Sequence, residues 1–405
     1  MLKKLIFTPL VVVGTSLPVA AVEVDSVAEK SSQVRPVMDE QSLVQIAILL
    51  DTSGSMKGLV DQARCQLWNV VSELARASRG DRPSRLQIAV YQYGTDQVSK
   101  KRGCIKQVTG FTEDLDEVSR AIFSLAIGGG DEFCGQVIDD ALTNLEWNPD
   151  SNVYKAVFVA GNESFDQGKV PFGKGLTKAL TNSILINSIY CFDPNYKEAV
   201  QGMDRWESAA RLAEGMYFQI NHNHHMPDLM TPYDKEMREL NDQMNETFVW
   251  YGKNAKKASK NQQMQDRNAA DLSDHAFASR MSAKIGHLYH HVHDDLVDAV
   301  SHGAVNLDRM PEDKMPEELK VMSPDDRRNY IREKIEQRNR VRRQMAEVIS
   351  TRHAHLQRMM SEQIGEEGKA PQVLGDALIE AVRKQATRRG FQFDKMSPTL
   401  ASQNP

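Results

Sequence analysis

Asp51, Ser53 and Ser55 alternate within the run Asp51-Thr52-Ser53-Gly54-Ser55, so one carboxylate and two hydroxyls recur at a spacing of two. Gly54 lets the backbone curl, so that all three oxygens can face one point. A set of hard oxygens carrying one formal charge suits Mg²⁺, which keeps several waters and takes few carboxylates. A phosphotransferase loop of the Asp-x-Asp type would need a second carboxylate at position 53, where this chain has Ser.

Other groups with chemical potential are scattered. The 11 His residues include two clusters, His222, His224 and His225, and His287, His290, His291 and His293. The second has i, i+3 and i+4 spacings, so His287, His290 and His291 would share one face of a helix, and such tracts can bind Zn²⁺ or Cu²⁺. The plainer reading is exposed polar residues. The chain has no His-Glu-x-x-His pair, no Gly-x-Ser-x-Gly elbow and no phosphate loop.

Elements that position the oxygens are readable around them. Residues 43–50 are apolar at seven of eight positions, which reads as a strand buried on both faces. In an open α/β sheet, ligands sit at the carboxyl end of such a strand. Residues 58–78 follow as an amphipathic helix with Leu59, Ala63, Leu67, Val70, Val71 and Leu74 on one stripe. Strands are expected at 86–93, 104–108, 153–160, 184–190 and 216–220, and helices at 114–126, 136–145, 173–182 and 196–214. That alternation predicts an α/β fold with a doubly wound, mostly parallel sheet.

Asp-x-Ser-x-Ser at the end of an apolar strand, before an amphipathic helix, resembles the metal-ion-dependent adhesion site of von Willebrand factor type A domains. The resemblance covers 43–221. It implies a doubly wound sheet, a bound Mg²⁺ or Ca²⁺ and a role in protein binding. Asp51, Ser53 and Ser55 match the family motif. The family completes its site with a Thr after a Gly-Gly turn and an Asp at the end of the fourth strand. Here Gly129-Gly130 is followed by Asp131-Glu132, and the fourth strand ends Ala160-Gly161-Asn162-Glu163. Either Asp51 merely caps neighbouring amides, or Asp131 or Glu132, with Glu163, supplies replacement oxygens. Extra carboxylates would hold a cation more tightly and lower its net charge, favouring retention over capture of an acidic ligand.

Four Cys in an exported chain permit disulfides. Cys134 falls in the second site loop and Cys191 closes the fifth strand, so both are expected on the ligand face, with Cys134–Cys191 as the first-choice pair. Cys104 then pairs with Cys65 or stays free.

Residues 1–21 read as a signal peptide: Lys3 and Lys4, an apolar core, then Val19-Ala20-Ala21. The expectation is an exported protein, periplasmic or secreted, without a transmembrane segment. Residues 22–42 read as a disordered lead-in, and 222–310 as a polar helical region of one or two weakly packed helices. Ser323-Pro324-Asp325-Asp326 opens a long basic amphipathic helix over 323–364. Ten Lys/Arg face four acids between Arg327 and Ile364. Its apolar seam carries Arg338, Arg342 and Arg352, and the charge reads as a solvated face or as a docking stripe for an acidic surface. Residues 370–405 hold a last helix and tail.

With 405 residues, 40% apolar and 26% charged, the chain has enough material for one large domain plus helical additions. A net charge of −5 does not point to nucleic acid. The leading expectation is a non-enzymatic binding protein that recognises a protein or cell-envelope partner through the Asp51 face. The alternatives are a metal-dependent hydrolase using carboxylates around Asp51, and metal sequestration by the His clusters.

Overall fold

The computed structural model describes residues 42–98, 100–165, 167–193, 203–224, 228–363 and 373–393. The expected signal peptide, the lead-in up to residue 41 and the tail beyond 393 lie outside the described residues.

Six strands make the main sheet: β1 (Leu43–Asp51), β4 (Arg85–Tyr93), β5 (Lys106–Thr112), β6 (Tyr154–Gly161), β7 (Ile184–Phe192) and β8 (Tyr217–Asn221). Their order is β5-β4-β1-β6-β7-β8. All neighbours run parallel except β5, which pairs antiparallel to β4 with register shifts. Every residue of β1 is buried. Ile46, Ile48 and Leu50 face one core, while Ala47 and Leu49 face another. Cover on both faces is what makes this strand an unbroken apolar run. Two short strands, β2 (Ala77–Arg79) and β3 (Arg82–Pro83), join β9 (Gln392–Phe393) in a small second sheet.

The first face of the main sheet is covered by α1 (Lys57–Leu74), α2 (Leu115–Phe123) and α12 (Leu374–Thr387), the second by α3 (Cys134–Asn144), α4 (Phe172–Thr181) and α5 (Met203–Leu212). The doubly wound arrangement expected from the alternation of elements is therefore present.

After β8 the chain forms α6 (Asp234–Asn245), α7 (Ala255–Leu272), α8 (Asp274–Lys284), α9 (Leu296–Ser301), α10 (Glu317–Lys320) and α11 (Pro324–Gln363). The 222–310 region, expected to hold one or two weakly packed helices, contains four, α6 to α9, while α11 runs for 40 residues. Met237, Leu240, Phe277, Met281, Val341 and Met345 close one core; Val249, Leu296, Leu319 and Ile331 close another. Charged residues are buried here too. Arg338 of α11 reaches Asp295 and Asp298 at 2.7 Å each, and Arg352 reaches Asp234 at 2.7 Å. Two of the seam arginines thus point inward at carboxylates rather than forming a docking stripe.

The core does not stop at Asn221. Leu374, Ala377, Leu378, Ala381 and Val382 of α12 sit in the same cluster as Ile46, Ile48 and Leu67. Gln62 Oε1 of α1 accepts the Leu374 N–H at 3.0 Å, and Gln66 Oε1 accepts that of Gly375. The helical region is an excursion between β8 and α12, both of which belong to the sheet domain.

Candidate metal centre at the end of the first strand

Asp51 closes β1 with no exposed surface. Its Oδ1 accepts the Ser53 N–H at 2.8 Å, and the Ser53 and Ser55 hydroxyls stand 3.2 Å apart. Thr52 turns the other way: its N–H and Oγ1 donate to Tyr93 O at 2.8 and 3.0 Å, tying the motif to β4. The second loop is brought across by a parallel bridge between Ser53 and Gly128, with Gly128 N–H donating to Thr52 O at 3.1 Å.

That loop delivers Glu132 to Asp51. Gly94, at φ +79°, makes the approach possible: a Cβ there would lie 2.6 Å from Asp51 Oδ1 and 2.9 Å from Glu132 Cγ. Burial raises the Asp51 carboxyl to about 6. Burial, followed by the Asp51 charge, raises Glu132 further, to about 9. The charge of Glu163 pushes both upward. Asp51 Oδ2 and Glu132 Oε2 are buried and have no hydrogen-bond partner while both carboxyls are ionised. The contact between them becomes a hydrogen bond only when one carboxyl carries a proton. A proton or a cation must therefore lie between these two groups.

Of the replacement candidates, Glu132 meets Asp51, whereas Asp131 is exposed. Glu163 is held at the rim by Gln167, whose Nε2 donates to Glu163 Oε2 at 3.0 Å while its Oε1 accepts the Glu132 N–H at 3.4 Å. The Trp206 indole N–H donates to Glu163 O at 2.8 Å, fixing the backbone of the turn. Sequence reasoning missed Asn162. Its Oδ1 is buried without a partner, and its Nδ2 stands 3.5 Å from Ser55 Oγ. The only available signal was its place between Gly161 and Glu163.

This donor set of carboxylates, hydroxyls and a side-chain amide fits a hard divalent cation of the Mg²⁺ or Ca²⁺ kind. Asp51, Ser53, Ser55 and Glu132 would hold it, with Asn162 and Glu163 at the margin.

The expected Cys134–Cys191 disulfide is absent; all four cysteines are free. Consecutive residues of a strand point to opposite faces, and Cys191 lies in the first-face core with Cys134 in the second. Cys134 Sγ contacts Tyr93 Oη at 3.4 Å, and burial raises both thiols well above their ordinary values. Nor do His287, His290 and His291 share a helical face, since 286–294 form turns and irregular chain. His287 Nε2 contacts Ser84 O at 3.0 Å, His290 packs against His302, and His291 lies 3.4 Å from Asp116. Among the described residues no helix is long and apolar enough to cross a membrane.

No protein-family model and no curated protein matches the chain. Similar solved structures include a von Willebrand factor type A protein from Catenulispora acidiphila, at 15% identity and TM-score 0.33, covering 44% of this chain and 39% of that one. The SpRpn10 VWA domain is similar at 13% identity and TM-score 0.32, over 45% of this chain and 90% of that one. The pilus adhesin SpaC from Lactobacillus rhamnosus GG, in an open conformation, matches at 11% identity and TM-score 0.32, over 44% of this chain and 28% of that one. This chain thus spans well under half of two of these three proteins. The strand order and the placement of Asp51, Ser53 and Ser55 at the end of β1 give the sheet domain a doubly wound, mostly parallel α/β architecture similar to that of these domains.

Proposed function

We propose that this chain is an exported binding protein whose sheet domain holds a divalent cation at Asp51, Ser53, Ser55 and Glu132 and presents that face to a protein or cell-envelope partner. The observation that carries this reading is the pair of orphaned, buried carboxylate oxygens of Asp51 and Glu132 at the carboxyl end of the central strand. Two buried carboxyls in contact are costly unless a positive charge lies between them. Glu132 in place of a neutral Thr reduces the net charge on the ion. Such a site retains its cation firmly and draws an acidic ligand weakly, so contacts around the rim, including Glu163 and Asn162, would carry more of the recognition.

Catalysis is the less favoured reading. The nearest thiols, Cys134 and Cys191, are buried and kept as thiols, and a thiol is a poor nucleophile. The separate partners of His287 and His290 likewise favour structural roles over metal sequestration by a shared helical face.

Calorimetric titration of purified protein with Mg²⁺ and Ca²⁺ tests the proposal. One ion should bind, and Asp51→Asn and Glu132→Gln should weaken it comparably, by about tenfold or more. Cross-linking in the native host, with and without chelator, then asks whether capture depends on the ion. Absence of binding in the wild type would sink the cation reading. Binding that ignores Glu132→Gln would mean that the three motif residues suffice.

A further inference from the structure

A second constellation lies outside this centre, where α2 meets the segment between α8 and α9. Asp114, Asp116 and His291 each offer a ligand atom, and these atoms lie within 4.8 Å of one another. His291 is 7% exposed, and its Nε2 has no hydrogen-bond partner even though Asp116 Oδ2 is 3.4 Å away. A buried imidazole nitrogen is thus aimed at two carboxylates without satisfying either.

We propose that Asp114, Asp116 and His291 form a second cation site, for a divalent transition-metal ion of the zinc class. One imidazole nitrogen with two carboxylate oxygens suits such an ion, whereas Mg²⁺ and Ca²⁺ prefer oxygen alone. Each ligand is already oriented by outer partners, as metal ligands usually are. Asp116 Oδ1 accepts from Arg280 at 2.8 Å, and Asp116 Oδ2 accepts the Tyr289 hydroxyl at 2.8 Å. Asp114 Oδ1 caps α2 by accepting the Asp116 and Glu117 N–H groups at 3.0 and 3.1 Å, which leaves Oδ2 available. The backbone N–H of His291 donates to Asp298 Oδ2 at 2.8 Å, which fixes the chain at that residue, and the rings of Phe248, Trp250 and Tyr289 enclose the imidazole. Charge leaves room for a cation. Asp116 and Asp266 are paired with Arg280 and Lys284, whereas Asp114 has no ion-pair partner among the described residues, so its negative charge is uncompensated while His291 is neutral. Asp114 is only partly buried and gives the ion a route in. The competing occupant is a proton on His291, which would close an ion pair with Asp116.

Zinc chloride titrated into chelator-stripped, untagged full-length protein separates the two occupants. The wild type should bind one Zn²⁺. His291→Gln and Asp114→Asn should each weaken it tenfold or more, while Asp51→Ala should leave it unchanged and so distinguish this site from the first. Asn also caps helices, so Asp114→Asn keeps α2 intact and decides the matter if His291→Gln fails to fold. No zinc bound by the wild type, zinc retained by Asp114→Asn, or zinc lost in a folded Asp51→Ala variant would each overturn the proposal.

Discussion

Tyr93 fills the space that a side chain at Gly161 would need. A Cβ at position 161 would stand 2.4 Å from Tyr93 Oη and 3.1 Å from Asp51 Oδ2. The phenol is anchored there by donating to Ala160 O at 3.0 Å. The fourth-strand carboxylate implied by the family resemblance is missing because a buried ring occupies its place. The carboxylate that meets Asp51 comes instead from Glu132, across the Gly94 turn.

Gly161→Asp should therefore not restore the family's site. Overpacking against Tyr93 and a third buried carboxyl should destabilise the protein by ~1–3 kcal/mol. Shortening the ring in Tyr93→Phe/Gly161→Asp should recover part of that loss, with a coupling of at least ~0.5 kcal/mol. Denaturant unfolding of the four proteins in the cycle measures it. A single Gly161→Asp variant as stable as the wild type would show that the space exists after all.

The Asp51–Glu132 pair should make stability depend on pH and, on the proposed cation reading, on metal as well. Both groups have folded values raised above their ordinary ones. The folded state therefore binds protons more tightly than the unfolded chain. The metal-free protein should be most stable at or below the unfolded carboxyl range near pH ~4, as far as this pair is concerned. That contribution is lost as pH rises through about 6 and on towards about 9. A divalent cation replaces the proton, so added Mg²⁺ or Ca²⁺ should raise the melting temperature more at pH 8 than at pH 5. Glu132→Gln should flatten the metal-free profile. A metal-independent profile in the wild type would remove the cation from the account.

The strong sequence signals were the ones with local physical causes. An apolar run ending in Asp51 had to be a strand covered on both faces, and every strand of the main sheet was expected within a few residues of where it lies, whereas the short strands β2, β3 and β9 were not expected. The Asp51, Ser53 and Ser55 turn was legible because all its ligands lie within five residues. The Glu132 contact was half legible: the loop was identified, but choosing between Asp131 and Glu132 required the Gly94 approach. Cys134 and Cys191 misled because closeness to one face of the site said nothing of which side of the sheet each thiol enters. The helical region looked loosely packed because its few apolar positions converge from distant segments and its buried ion pairs, such as Arg338 with Asp295, do not register in apolar counting.

Arg280 is the test of that last point. It is fully buried between Asp116 of α2 at 2.8 Å and Asp266 of α7 at 2.6 Å, and its guanidinium lies 4.7 Å from the Trp68 ring centroid. Arg280→Met keeps much of the volume but leaves two buried carboxylates short of a partner. Removing one member of a buried pair costs about 3–5 kcal/mol, so thermal and denaturant unfolding should show a large loss. A loss under ~1 kcal/mol would mean that Lys284 and water compensate.

The position of α12 decides how the chain is divided. Residues 43–221 contain the whole main sheet, and composition alone suggests that this span would stand by itself. Yet Leu378 and Ala381 of α12 are 3% and 0% exposed, in the core that covers Ile46 and Ile48. Cutting at 221 would uncover that apolar stripe and remove the Leu374 and Gly375 N–H groups that Gln62 Oε1 and Gln66 Oε1 accept. The fragment should be insoluble or molten, whereas a chain running through Phe393 should unfold cooperatively. Leu378→Ala in the full chain should cost about 2–5 kcal/mol, as for other buried leucines. It should do so by lowering a single transition, because sheet and α12 share one core. A stable 43–221 fragment with native-like near-UV dichroism, or a Leu378→Ala variant that loses only a separate helical transition, would show that α12 is a detachable cover rather than part of the fold.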